Sequence, residues 1–264
     1  MKGLSETPVS GEKRPSVLVT IPAFNEAKRL PRFLDTLLSA LSALEDAVQL
    51  HVQVVDDGSA PEERARCRAE VCQREGQHPG LSLTFLELPQ NVGKGGAILA
   101  GWRAVPEADF YLFVDSDGAV PAAEVARLLS EAVRREEPVL IFASRVKMLG
   151  KSVQRTALRH CTGRLFAFFV GCYINSNIYD SQCGLKIVPG AHRKRIDRYL
   201  QGNRFAFDVE LLAAASSQGL KMEEAPIDWF DVPGSKVSLI RDTVRMIKSV
   251  WVIRRLMNTG YYTR

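Results

Sequence analysis

Three short acidic runs, each directly behind an apolar stretch, are the best candidates for chemistry in this 264-residue chain. Pro22–Ala23–Phe24–Asn25–Glu26 closes SVLVTI, Asp56–Asp57–Gly58–Ser59 closes LHVQVV, and Asp115–Ser116–Asp117 closes FYLFV. One such run alone reads as a turn, since Asp-Gly-Ser is a common turn and helix cap. Three behind the first, second and fourth strands read differently. Ligands of open α/β sheets sit at the carboxyl ends of strands, and carboxylates gathered at one edge repel each other unless a cation is bound among them. A divalent ion held by Asp115 and Asp117 and bridging a diphosphate meets both conditions. Hard oxygen ligands point to Mg²⁺ or Mn²⁺.

Asn91–Val92–Gly93–Lys94–Gly95–Gly96–Ala97 is a glycine-rich turn that opens a helix and offers its amides to an anion. Neither a Walker loop nor GxGxxG fits it, and a plain tight turn is an equal reading. The net charge of +5 hides an asymmetry: residues 145–195 hold ten Lys and Arg against one acid, Asp180. That segment is built to meet anions, whether phosphate, nucleic acid or a membrane surface.

The elements that must position these groups alternate in type. Ser16–Ile21, Leu50–Val55, Leu81–Leu86, Phe110–Val114 and Val139–Ala143 read as strands. Between them, Ala27–Leu44, Pro61–Arg74 (with Ser59 as its cap), Val92–Ala104 and Glu124–Arg135 read as helices. This order predicts an α/β fold with a mostly parallel sheet flanked by helices. The second half is less regular: a helix over Gln154–Tyr173, a strand over Cys183–Val188, a helix over Phe207–Gln218, a strand over Leu220–Ile227 and a final amphipathic helix over Ser238–Met257. The expected organisation is a flexible tail (1–14), a catalytic domain (15–232) and a C-terminal helix at a membrane interface (233–264).

Composition excludes several classes. Apolar residues at 46% and charged residues at 25% are those of a globular domain. Five Cys without a CxxC pair, and four His, argue against structural zinc and for reduced thiols in the cytosol. Met1–Arg14 is polar and unlike a signal peptide, and no uninterrupted apolar run of about 18 residues occurs. A nucleic-acid-binding module, the non-enzyme alternative, lacks any recognisable reading motif and leaves the carboxylate clusters unexplained.

PAFNE, VVDDGS, NVGKGGA and FVDSDG, in this order, resemble the inverting family 2 glycosyltransferases of the GT-A fold. ASR (143–145), QRTALR (154–159), DSQCGLK (180–186), FAFDVELL (205–212) and GSK (234–236) sharpen the resemblance toward dolichyl-phosphate β-glucosyltransferases and related polyprenyl-phosphate transferases. The resemblance spans roughly residues 16–260. It implies a nucleotide-sugar donor, UDP-glucose foremost, and a polyprenyl phosphate acceptor. Ala119 stands where related mannosyltransferases carry Gln, which disfavours GDP-mannose. By the same resemblance Pro22, Phe24 and Glu26 line the nucleoside pocket, Asp57 accepts from the uracil, Lys94 and Gly95 lie beside it, and Asp117 with Asp115 holds the metal. Asp208 stands where other members place a base for a sugar-hydroxyl acceptor, the second enzyme alternative. Arg155 and Arg159, at i and i+4, clamp the acceptor phosphate with Arg145. Lys186 and Lys236 are further candidates.

Two stretches suggest contact with an anionic membrane: the aromatic run Leu165–Val170, too short to span, and the final helix. There Ile240, Val244, Ile247 and Trp251 form one stripe and Arg241, Arg245, Lys248 and Arg255 another face. Arg254 falls near the apolar side. The expected location is cytoplasmic and peripheral at the membrane face, with no nucleic-acid partner.

Overall fold

The computed structural model describes residues 14–146, 148, 150–154, 170, 171, 174, 177–202, 206–232 and 239–263. Of residues 154 and 239–246 the backbone alone is described. The chain runs β1 (Ser16–Ala23), α1 (Leu30–Ser42), β2 (Gln49–Asp56), α2 (Pro61–Arg74), β3 (Leu81–Glu87), α3 (Lys94–Ala104), β4 (Phe110–Val114), α4 (Ala122–Val133) and β5 (Leu140–Ser144). It continues through β6 (Val153–Gln154), β7 (Leu185–Pro189), α5 (Gly190–Ile196), α6 (Phe207–Ser217), β8 (Met222–Pro226), β9 (Trp229–Phe230) and α7 (Leu239–Asn258).

Seven strands form one sheet in the order β3-β2-β1-β4-β7-β5-β8. All its pairings are parallel except those of β7, which runs antiparallel to both β4 and β5. The mostly parallel sheet expected from the sequence is present. The reversed direction of β7 was not legible, because all five of its residues are buried. A strand covered on both faces is an apolar run whichever way it points.

Alternation along β1 feeds two cores. Val17, Val19 and Ile21 pack with α1, α2 and α4, while Leu18 faces α3, α6 and α7. Helix α1 buries Leu30, Phe33, Leu34, Leu37, Leu38 and Leu41 at helical spacing. It begins at Leu30 rather than Ala27, with Pro31 in its first turn and Asn25 in the left-handed region at φ 54° just before. The expected cap by Ser59 is corrected: Ala60 is the N-cap of α2, and the Ser59 hydroxyl accepts the Asn25 N–H at 2.8 Å.

In the second half, Gln154 belongs to β6, which pairs with β9 in a small second sheet, rather than opening a helix. The rest of the expected 154–173 helix lies mostly outside the described residues. Helix α7 packs on the α3–α6 side through Val250 and Ile253, and Tyr262 is buried just beyond it. Ile247, Trp251 and Val252 are exposed. Among the described residues, no helix is long and apolar enough to cross a membrane.

The topology brings one set of ends together. The carboxyl ends of β1, β2, β4 and β5 share an edge with the start of β7, because β7 is reversed. The Asp115 N–H donates to the carbonyl of Gly184, just ahead of β7, at 2.9 Å.

Candidate active site

Asp115 and Asp117 leave β4 on opposite partners. Asp115 Oδ1 lies 2.8 Å from Lys94 Nζ, in the first turn of α3. Its carboxylate rests against the backbone of Gly184, where an added Cβ would stand 2.2 Å from Oδ2. Asp117 Oδ1 accepts the Ala119 N–H at 3.0 Å. Burial, and next the charge of Asp115, push the Asp117 carboxyl above its usual range.

Lys94 reaches a second carboxylate. Its Nζ is 3.7 Å from Asp208 Oδ2, in the first turn of α6. On its other side Asp208 faces Lys186, whose Nζ is 3.4 Å from Oδ1. Lys186 is fully buried, donates to the Cys183 carbonyl and lies over the rings of Phe142 and Phe113. Lys94 also lies over Phe113, 5.1 Å from its centroid. Burial opposes the charge on Lys94, but Asp115 and Asp208 outweigh it and hold the ammonium above its ordinary range. Asp115, Lys94, Asp208 and Lys186 therefore form one chain of alternating charge. The sequence reading set Lys94 at the nucleoside pocket and held Lys186 as a secondary candidate; the structure joins the two through Asp208.

At the end of β2 the edge is tied by Asp57. Its Oδ1 accepts the Val92 N–H at 2.7 Å, and its Oδ2 accepts from the Gly93 N–H at 2.9 Å and from Asn91 Nδ2 at 3.0 Å. The expected uracil partner thus also fastens the glycine turn to the end of β2. Gly58, at φ +68°, allows this, since a Cβ there would lie 2.4 Å from the Asn91 nitrogen. Asp56 is structural: it is fully buried and accepts from the Ser59 N–H and from Arg64.

Glu26 is nearly buried, and its carboxylate takes Arg29 Nε at 2.6 Å and Arg29 Nη2 on its two oxygens. Phe24 is exposed, Pro22 is half-buried and Gly95 is buried. Gly96, next to Gly95, packs closely on the glycine turn: a Cβ added there would stand 2.7 Å from Val92 Cγ2.

Arg145 is the main departure among the acceptor candidates. Asp180, the one acid of the basic segment, accepts from its N–H and Nε on Oδ2, each at 2.8 Å, and from its Nη2 on Oδ1 at 2.7 Å. Burial opposes ionisation of Asp180, but Arg145 outweighs it and holds the carboxyl well below its usual range. The sequence counted Arg145 as a cation for the acceptor; the structure gives it a resident carboxylate and stacks it 5.7 Å from the Trp229 ring centroid. Arg155, Arg159 and Lys236 lie outside the described residues. The sequence reading gave no site role to Arg29, Asp180 or Gly184, although the last two stand in the DSQCGLK motif. Gly184 had a signal, a glycine directly before an apolar strand in DSQCGLK.

Among the described residues, no cluster of three His, Cys, Asp or Glu side chains forms a metal cage. The edge instead offers two carboxylates of hard oxygen character, one of them destabilised by the other.

Residues 18–179 match the family described as glycosyl transferase family 2. The dolichyl-phosphate beta-glucosyltransferase of Saccharomyces cerevisiae is 30% identical over 257 residues, covering 92% of this chain and 75% of its own length. The human protein of the same name is 31% identical over 270 residues, covering 98% and 82%. Among solved structures, glucosyl-3-phosphoglycerate synthase from Mycobacterium tuberculosis, in complex with Mn²⁺, UDP-glucose and phosphoglyceric acid, superposes with a TM-score of 0.65 at 15% identity. It covers 93% of this chain and 80% of the synthase. At that identity the likeness is one of fold, and the fold is GT-A. With a family match over more than half its length and relatives of this identity over most of it, the chain belongs to glycosyl transferase family 2 and is a glycosyltransferase.

Proposed function

We propose that the chain moves glucose from UDP-glucose to a dolichyl-type polyprenyl phosphate, with inversion at the sugar C1 and with Mg²⁺ or Mn²⁺ at Asp115 and Asp117. The observation that carries the reading is the chain of alternating charge from Asp115 through Lys94 to Asp208 and Lys186. It supports a polar site at the strand ends in which Lys94, the partly accessible cation, stands between the carboxylates that face the donor. The names of the relatives support the sugar and the lipid, and the UDP-glucose complex of the fold neighbour supports the nucleotide.

The residues fit a divalent ion in their chemistry. Asp115 and Asp117 are both hard oxygen donors at one strand end, and burial together with the charge of Asp115 raises the Asp117 carboxyl, a cost that a bound cation would relieve. When bound, that cation supplies charge neutralisation for the departing diphosphate. Asp117 holds it, with Asp115 beside. Asp57 keeps the glycine turn against the end of β2 and faces the uracil; Pro22, Phe24, Glu26 and Gly95 shape the pocket.

In the reaction an acceptor phosphate oxygen forms a bond to C1 as the bond from C1 to the diphosphate oxygen breaks. The nucleophile is already anionic at neutral pH, so no side chain has to remove a proton. What the acceptor needs is cations, to lower the cost of bringing it near the diphosphate. Arg155 and Arg159 are assigned that work. Arg145, paired with Asp180, holds the end of β5 in place. Asp208 holds Lys94 and Lys186 at the centre of the site.

The same reading places the protein peripherally at the cytoplasmic membrane face. Trp251, 57% exposed, and Ile247, 40% exposed, stand on α7 near exposed Lys248 and Arg255, a pairing suited to an anionic interface. A screen of UDP- and GDP-sugars with Mn²⁺ and a short polyprenyl phosphate, reading lipid-linked sugar and released nucleotide, tests the proposal. UDP-glucose should be the preferred donor. Transfer only to a free sugar hydroxyl, with none to the lipid phosphate, would refute the acceptor.

A further inference from the structure

Arg29 ends the turn between β1 and α1 and is absent from the motifs that mark the family. Glu26 grips it from one side, taking Nε at 2.6 Å on one oxygen and Nη2 on the other. This two-point contact fixes the plane of the guanidinium. The third nitrogen, Nη1, is buried and has no hydrogen-bond partner among the described residues. A buried donor without a partner is costly, and folded proteins seldom leave one unless something comes to it.

The surroundings say what comes. One turn into α1, Phe33 lies against the Asp117–Gly118 turn, its ring 3.6 Å from where a Cβ of Gly118 would stand. The start of α1 is therefore laid beside the second carboxylate of the strand-end pair. The charge of Arg29 acts on Asp117 and on Asp115, yet it forms no ion pair with either among the described residues. An arginine pinned on one side and unsatisfied on the other, next to carboxylates that take a cation, suits a ligand whose phosphate oxygens sit between them.

From this arrangement we infer that Arg29 binds the diphosphate of the sugar donor through Nη1, with Glu26 as the residue that positions it. The inference rests on the nucleotide-sugar reading above and adds a second route to the phosphates, independent of the metal. It also gives Glu26 a task beyond the nucleoside pocket: the carboxylate sets the direction of the guanidinium.

The test is calorimetric binding of uridine, UMP and UDP to the full chain, with chelator and again with Mn²⁺. In Arg29→Met, UDP affinity should fall about tenfold or more in chelator, as expected for loss of a charged hydrogen bond, while uridine affinity stays at the parental value. Glu26→Gln should weaken UDP binding in the same direction by a smaller factor. Arg29→Lys, which keeps charge but loses the planar fork, should recover part of the loss and also guards against a misfolded methionine variant, with circular dichroism as the check on both. Equal losses for uridine and UDP would show that Arg29 only props up the nucleoside pocket, and unchanged UDP binding would show that it touches no phosphate; either overturns the inference alone. A parent chain that binds no UDP would overturn the nucleotide reading together with it.

Discussion

Lys94 Nζ stands 2.8 Å from Asp115 Oδ1 and 3.7 Å from Asp208 Oδ2, so one ammonium joins the carboxylate at the end of β4 to the carboxylate at the start of α6. These groups are far apart in sequence, and each comes from a different element. Like charges brought this close need a countercharge, and Lys94 provides it for Asp115.

A cation at that position competes with any other cation for Asp115. Lys94→Met should therefore bind Mn²⁺ several-fold more tightly than the parent in the absence of nucleotide, as read by Mn²⁺ electron paramagnetic resonance. Its turnover should nevertheless fall by about a hundredfold, the scale of losing one group aimed at transition-state charge. Weaker Mn²⁺ binding in this variant would contradict the competition.

Asp117 carries the opposite burden. Its folded pKa is raised by burial and by Asp115, so its ionised form destabilises the ligand-free fold at neutral pH. Asp117→Asn keeps an oxygen for the Ala119 N–H and removes the charge. The variant should melt at or above the parental temperature while losing glucosyl transfer. A lower melting temperature would show that the carboxylate stabilises the ligand-free fold.

Asp180 titrates the other way. Arg145 holds its folded pKa below the ordinary value of 3.8. The stabilisation is therefore complete above that value and is lost as pH falls below it toward the lower folded pKa. Asp180→Asn should cost about 3–5 kcal/mol at neutral pH, because it leaves a largely buried guanidinium, with 20% of its side chain exposed, without its charge partner. It should also flatten the acid limb of the stability curve, measured by urea unfolding at several pH values. Replacing both partners, as Arg145→Met with Asp180→Leu, should cost less than the single change.

Gly184 leaves room for Asp115 and for nothing more. In Gly184→Ala the new methyl group would meet Asp115 Oδ2 at 2.2 Å, so the carboxylate must move. An overpacking cost of about 1–3 kcal/mol should appear in urea unfolding. Loss of donor binding should accompany it, because Asp115 can no longer keep its place beside Lys94.

On α7 the two faces should separate cleanly. Trp251→Glu with Ile247→Glu alters exposed positions and should leave the melting temperature near parental while abolishing salt-sensitive binding to anionic vesicles. Val250→Glu puts a charge into the core that Val250 shares with Ile253 and should unfold the chain. Vesicle binding that survives the double change would assign the exposed stripe to another partner.

What the sequence by itself determined was local. The apolar runs that end in Glu26, Asp57 and Asp117 mark strand ends because alternation and burial act over a few neighbouring residues, and the repeated β-α order then dictates a mostly parallel sheet with those ends on one edge. Helix α1 was legible from its leucine spacing, and its start was misplaced only where Asn25 and Pro31 decide the backbone. The tertiary structure alone decided who meets whom. The reversal of β7 brings Gly184 against Asp115, and no feature of a fully buried apolar strand encodes its direction. Charge pairing followed the same rule. Asp180 looked like a stray acid in a basic segment until β5 and the start of β7 placed it on Arg145. Lys94 read as part of a glycine-rich turn at the nucleoside pocket until α3 and α6 packed around Phe113 and set it between Asp115 and Asp208. Coulomb attraction depends on distance in space and on the water removed from around the pair, and both are fixed only when the chain has closed on itself.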